Sequence, residues 1–327
     1  MSTQLAAARK ALAAPSRFRP AELVLWAAVL VAFILLPDRL LLINEVAIAG
    51  LFALSLDLVL GYGGIVSLGH AAFFGLGAYT AGLLGKVGIP EPVIGLLIAG
   101  LVAGAVGFAT SFLVLRGSDL TRLMVTLSVS LVLLELANRL TWLTGGADGL
   151  QGIIIAPVLG IFEFDLYGRV AASYSLLVLF LGVLLARKLV HAPFGLGVRA
   201  VAGNTLRAAA IGIPVNRRLI GIYTIGACYA GVAGGLLAQT TQFVSLDVLA
   251  FHRSAEVMLI LVIGGTGYLY GGIIGAILFK LLQDWLSDLT PQYWQFWLGI
   301  IFVALVVVGR DRVFAAPQTL WQHLRRS

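Results

Sequence analysis

A single cysteine, Cys228, occurs in 327 residues, which excludes an intrachain disulfide and any multi-cysteine metal site. Charge is scarce too: Asp, Glu, Lys and Arg make up 11% of the chain, under half of the roughly 25% usual in soluble domains. No stretch is long and polar enough for a separate soluble domain, so one membrane domain is expected. Acid is scarcer than base, 15 residues against 22, and is missing altogether between Asp165 and Asp247. A phosphate loop of the form G-x-x-x-x-G-K-[ST] is also lacking. The nearest approach, GLLGK at residues 82–86, has the wrong spacing and no hydroxyl. The chain is therefore expected not to hydrolyse ATP, and no pair of titratable groups is spaced convincingly for a membrane-embedded enzyme.

What is present is apolar. Hydrophobic residues make up 60% of the chain, in long continuous runs rather than the period-2 alternation of a barrel, so an all-α polytopic membrane protein is expected. The net charge of +7 reads as Lys and Arg gathered in cytoplasmic loops, not as a nucleic-acid surface. At the amino end, Arg9, Lys10, Arg17 and Arg19 precede an apolar run ending at Pro37. No convincing small-x-small cleavage site follows, so a retained first span fits better than a signal peptide.

Apolar runs set the spans, and basic residues set their direction. Spans are expected at residues 22–36, 40–60, 65–85, 92–115, 122–143, 171–189 and 219–238, the first running outward. Residues 144–170 lie outside, as do Asp247, His252, Arg253 and Glu256. Arg310, Arg312, Arg325 and Arg326 put the carboxyl end inside with the amino end, so the number of crossings is even. One helix over residues 257–282 would break that parity. The run GGTGYLYGG at 264–272 resolves it by splitting the segment into two arms that enter and leave from outside, because irregular backbone is tolerated at membrane depth where protein surrounds it. With a last span at 293–309, this gives about eight full spans plus a broken pair, or about ten segments if both arms cross. The expected organisation is a basic cytoplasmic terminus at 1–20, a transmembrane domain at 21–309 with a cytoplasmic loop at 191–216, and a cytoplasmic tail at 310–327.

Three places can carry function. The first is the acid-free loop, which holds Arg187, Lys188, Arg199, Arg207, Arg217 and Arg218. Within it, residues 200–211 read as a short helix stopped by Gly212 and Pro214, either a docking element or an ordinary positive-inside loop. The second is Glu135, Asn138 and Arg139 in the fifth span. Glu135 and Arg139 are four apart and can pair on one helix face, so this face either lines a path or contacts a partner, or is a structural pair near the outer interface. The third is His70, in the glycine-rich stretch Leu60–Leu84. It is either a path-lining or proton-carrying group or a buried hydrogen-bonding residue, with Asp57 the nearest acid. Ser67, Tyr79 and Thr80 offer hydroxyls to a solute in the same stretch.

The stretch GYGGIVSLGHAAFFGLGAYTAGLL (61–84) resembles the membrane-entry segment of LivM-type permeases, membrane subunits of ABC importers for branched-chain amino acids. TGGADGLQGI (144–153), RAVAGNTLRAAAIGIPVNRR (199–218), AGVAGGLLA (230–238) and SAEVMLILVIGGTGYLYGGIIGA (254–276) resemble that family in the same order, the second of these being its EAA-like coupling loop. The resemblance implies an all-helical type II importer permease in a bacterial inner membrane, with both termini cytoplasmic. It implies a path shared with a second, LivH-type permease, two cytoplasmic ATPases that bind ATP and Mg in place of any cofactor here, and a periplasmic substrate-binding protein. Arg199, Asn204, Arg207, Ala208 and Gly212 would sit in the ATPase groove, and Ser67, His70, Tyr79, Thr80, Glu135, Asn138 and Arg139 are the path candidates. Two stretches depart from the pattern: Thr205 replaces an acid often found after the loop's Asn, and GSDLTRLMVTL (117–127) replaces a Gly-x-Tyr-Phe-Ala-like start. The solute class stays open, since the family also carries urea, amides and other small organic compounds. The alternative is an ion-coupled secondary transporter using Glu135, Arg139 or His70.

Overall fold

Proline and glycine set most of the helix ends. Pro92 and Pro193 each stand at the start of a helix, where a missing N–H costs nothing, and Gly88, at φ +97, closes another in a left-handed turn. The computed structural model describes residues 20–308 except 118, 159, 166 and 167. The expected terminal segments 1–20 and 310–327 lie outside the described residues, apart from Pro20.

Thirteen α-helices occur among the described residues. In order they are α1 (Pro20–Leu35), α2 (Leu40–Asp57), α3 (Ala71–Val87), α4 (Pro92–Val114), α5 (Asp119–Arg139), the single turn α6 (Thr141–Thr144) and α7 (Arg169–His191). They continue as α8 (Pro193–Gly203), α9 (Thr205–Ala210), α10 (Val215–Thr241), α11 (Phe251–Gly264), α12 (Gly271–Leu289) and α13 (Trp294–Val308). Two isolated antiparallel bridges, Leu150 with Val244 and Val158 with Phe162, are the extended pairings among the described residues. Among the described residues, five helical stretches are long and apolar enough to cross a membrane: Pro37–Tyr62, Pro92–Val114, Leu120–Arg139, Arg169–His191 and Val215–Thr241. The described residues up to Ala276 form one compact unit, and Ile277 begins a second.

The third span starts later than its apolar run suggests, at Ala71 rather than near residue 65. Neighbouring elements hold the preceding residues out of the helix. The Leu68 N–H donates to Thr126 Oγ1 at 3.2 Å, and the Ala71 N–H donates to Ser254 Oγ at 2.9 Å. A Cβ on Gly69 would lie 1.9 Å from the Thr126 carbonyl oxygen. Irregular backbone is thus satisfied by protein, as membrane depth requires.

Helix α10 is the centre of the first unit and packs on α2, α3 and α4. Its small residues let backbones meet without intervening side chains. A Cβ on Gly234 would lie 1.8 Å from the Phe74 carbonyl oxygen, and one on Gly77 would lie 2.0 Å from that of Gly231. Arg187 of α7 is buried in an ion pair with Glu22 of α1. Arg187 is therefore a packed residue of the bundle, not part of a solvated loop.

Candidate functional site

The acid-free loop folds as two helices, not one. The expected continuous pattern over 200–211 breaks at Asn204, whose backbone is extended (φ −161, ψ 106). The Asn204 side-chain oxygen accepts the Arg207 N–H at 2.9 Å, an N-cap that starts α9. Gly212, at φ +84, stops it. Val198 and Val201 of α8 face the bundle, while Arg199, Asn204, Arg207 and Gly212 are exposed. Ala208 does not share that surface: at 2% exposed it turns back into the chain, so its small side chain serves packing here. Leu206 (83% exposed) and Ile211 (74%) stand out beside Arg207. These two apolar knobs were missed in the sequence; their signal was large apolar residues in a basic, punctuated loop.

Against α8 lies the C-terminal end of α2. The helix widens into a π turn at Leu58–Tyr62 before Gly63 ends it. The Arg199 guanidinium sits over the Tyr62 ring at 4.8 Å from its centroid, a cation–π contact. Asp57 is fully buried, and its Oδ1 accepts the Gly267 N–H at 2.7 Å. Gly267 lies in the break between α11 and α12, which covers residues 265–270. Asp57 is therefore not the partner of His70.

His70 pairs with Ser55 instead, Nε2 to Oγ at 2.8 Å. The Ser55 hydroxyl donates to the Phe52 carbonyl at 2.6 Å. Its one proton being spent, it accepts from His70, which assigns the proton to Nε2. Phe52 stacks on the imidazole at 5.7 Å and Phe73 meets it edge-on at 5.8 Å. Ser67 and His70 are both fully buried. Thr80 spends its hydroxyl on the Leu76 carbonyl of its own helix at 2.7 Å, and Tyr79 is buried.

Helix α5 is the least covered of the five long apolar stretches. Thr126, Ser130 and Ala137 face the bundle. Thr121, Ser128 and Glu135, spaced by seven residues, are exposed, as is Asn138. They share the uncovered face of the helix with the exposed apolar residues Met124 and Val132. Arg139 Nε donates to Glu135 Oε1 at 2.7 Å, and the two side chains are 78% and 57% exposed.

A second charged group gathers near the start of α11. Asp247 pairs with His252 at 3.1 Å and with Arg253 at 2.8 Å, and Arg253 reaches Glu256 at 3.0 Å. Burial works against the Arg253 charge, but the Glu256 and Asp247 carboxylates outweigh it and raise its pKa. Nearby, Leu150 exchanges backbone hydrogen bonds with Val244, its N–H donating at 2.7 Å. The motif TGGADGLQGI holds four glycines, all at positive φ (79, 58, 74 and 72), a loop shape that L-residues resist. No group of three or more His, Cys, Asp or Glu that could hold a metal occurs among the described residues.

A family profile described as branched-chain amino acid transport system / permease component matches residues 39–306. Among curated relatives, the high-affinity branched-chain amino acid transport system permease protein LivM of Escherichia coli is 29% identical over 278 residues, covering 79% of this chain. LivM of Salmonella typhimurium is 28% identical over the same share. The ribose import permease protein RbsC of Bacillus subtilis is 26% identical, covering 83% of this chain and 84% of its own length. The chain spans 65% of the length of those two LivM relatives. No solved structure matches significantly. The profile runs from the start of α2 into α13 and includes the α8–α9 elbow, and by that match the chain belongs to the branched-chain amino acid transport permease family.

Proposed function

We propose that this chain is a membrane subunit of an ATP-driven importer, forming a translocation path with a second permease of the LivH type. The observation that carries the reading is the α8–α9 elbow: an acid-free, capped pair of helices that presents Arg199, Asn204, Arg207, Leu206 and Ile211 outward. An apolar pair ringed by cations suits a cytoplasmic ATPase with an acidic-edged groove. Arg207 and Arg199 meet the acidic edge, and Leu206 and Ile211 fill the groove. ATP and Mg stay on the ATPases. The periplasmic binding protein docks on the outer face, where Asp247, Arg253 and Glu256 supply charge.

The path runs along α5. A charged pair on a spanning face does not face lipid, so Glu135 and Arg139 meet water, solute or the partner permease. Ser128 and Asn138 lie on the same face. His70 and Ser67, fully buried, shape the wall behind it. The solute is a branched-chain amino acid or a related small polar compound, and the complex works in a bacterial inner membrane with both termini in the cytoplasm.

The test is copurification and uptake. Leu206→Asp is expected to release the ATPases while the chain stays in the membrane with its partner permease. Uptake of leucine driven by this chain alone on an ion gradient, without ATPases, would instead establish a secondary transporter.

A further inference from the structure

We propose that the C-terminal turn of α2 is the lever that carries movement of the docking elbow to the break between α11 and α12, with Asp57 and Tyr62 as its positioning residues. The proposal rests on the importer reading above.

The turn touches both elements it would join. On the elbow side, Gly64 lies against α8: a Cβ there would sit 3.4 Å from that of Ala202. The Tyr62 ring carries the Arg199 guanidinium on the same side. On the side of the break, Asp57 Oδ1 holds the Gly267 N–H at 2.7 Å. The Tyr62 hydroxyl, beside Arg199, also adjoins the Leu269 backbone. Tyr62 therefore spans from the elbow to the break within one side chain.

The local sequence is shaped for this contact. A Cβ on Gly61 would lie 2.1 Å from Asp57 Oδ1 and 2.4 Å from the Gly267 nitrogen. Only glycine at 61 lets the carboxylate and the break meet. The π turn adds a residue where a regular helix would continue, which is a common mark of functional helix ends. A hydrogen bond in a dry setting is stronger than the same bond in water. The break therefore follows the turn, and α8 cannot shift against the turn without loading it. Thr266 and Tyr268 of the break are exposed, so its movement is open to chemical labelling.

The experiment uses the whole complex in proteoliposomes, with Cys228→Ser and Thr266→Cys in this chain. Two quantities are read: solute imported per ATP hydrolysed, and the difference in Thr266→Cys alkylation rate between nucleotide-free and ATP-trapped complex. Asp57→Ala and Tyr62→Leu are each expected to lower import per ATP by about 2- to 30-fold and to shrink the labelling difference. Asp57→Asn keeps an acceptor for Gly267 and is expected to retain both. The double variant is expected to be no worse than the worse single one. A labelling difference that survives Tyr62→Leu, additive losses in the double variant, or equal loss in Asp57→Asn and Asp57→Ala overturns the lever. Tyr62→Leu leaves the Asp57 bond in place and decides the matter if Asp57→Ala does not assemble. Absence of ATP-dependent import in the parent complex would overturn the importer reading instead.

Discussion

Single residues set the cost of change at Gly212 and Ser55 in opposite ways. Nothing lies within 4 Å of where a Cβ on Gly212 would stand, but its φ is +84. Substitution there strains the backbone by about 1–2 kcal/mol without any clash. Gly212→Val should leave the chain in the membrane and distort the junction of α9 with α10, so import per ATP falls while ATPase activity persists. Unchanged import would remove this loop from the coupling route. At Ser55 the cost is a lost hydrogen bond. Ser55→Ala leaves the buried His70 Nε2–H without its acceptor, worth about 1–3 kcal/mol. A lower melting temperature in detergent is expected, with part of it restored by the double change Ser55→Ala, His70→Phe, which removes both polar groups.

At the scale of elements, the crossing of α3 with α10 depends on backbone contact. Gly234→Val should fail to accumulate or melt early, because its Cβ would lie 1.8 Å from the Phe74 carbonyl oxygen. Gly299→Ala has nothing within 4 Å and should keep the melting temperature, which a thermal scan of the purified protein compares directly. The order and type of these helices were legible in the sequence, since apolar runs bounded by Pro92, Pro193, Gly88 and Gly212 record local chemistry. What local chemistry does not record is a partner far away in the chain. The late start of α3 depends on Thr126 and Ser254, and the break at Asn204 depends on a cap competing with helix continuation. Asp57 found Gly267 rather than His70 for the same reason: the pairing is made by the fold, and neither residue carries a local signal for it. The charged pair Glu135–Arg139, by contrast, follows from spacing alone and was found as expected.

For the whole molecule, the proposed path makes a prediction about α5: its exposed polar residues meet water. In the assembled complex a cysteine at Ser128 should react with a water-soluble maleimide, and one at Leu101, exposed on the apolar α4, should not. Equal reactivity would remove α5 from the path. The Asp57–Gly267 bond also bears on how the molecule is made. Its two ends are 210 residues apart, so at ordinary synthesis rates α2 is complete about 10–40 s before its partner exists. During that interval a carboxyl group destined for burial has no amide to bind. A chain that stops before the break keeps that group unpaired. A chain ended at residue 250 should be degraded quickly in a pulse–chase experiment, and the same shortened chain carrying Asp57→Leu should outlive it.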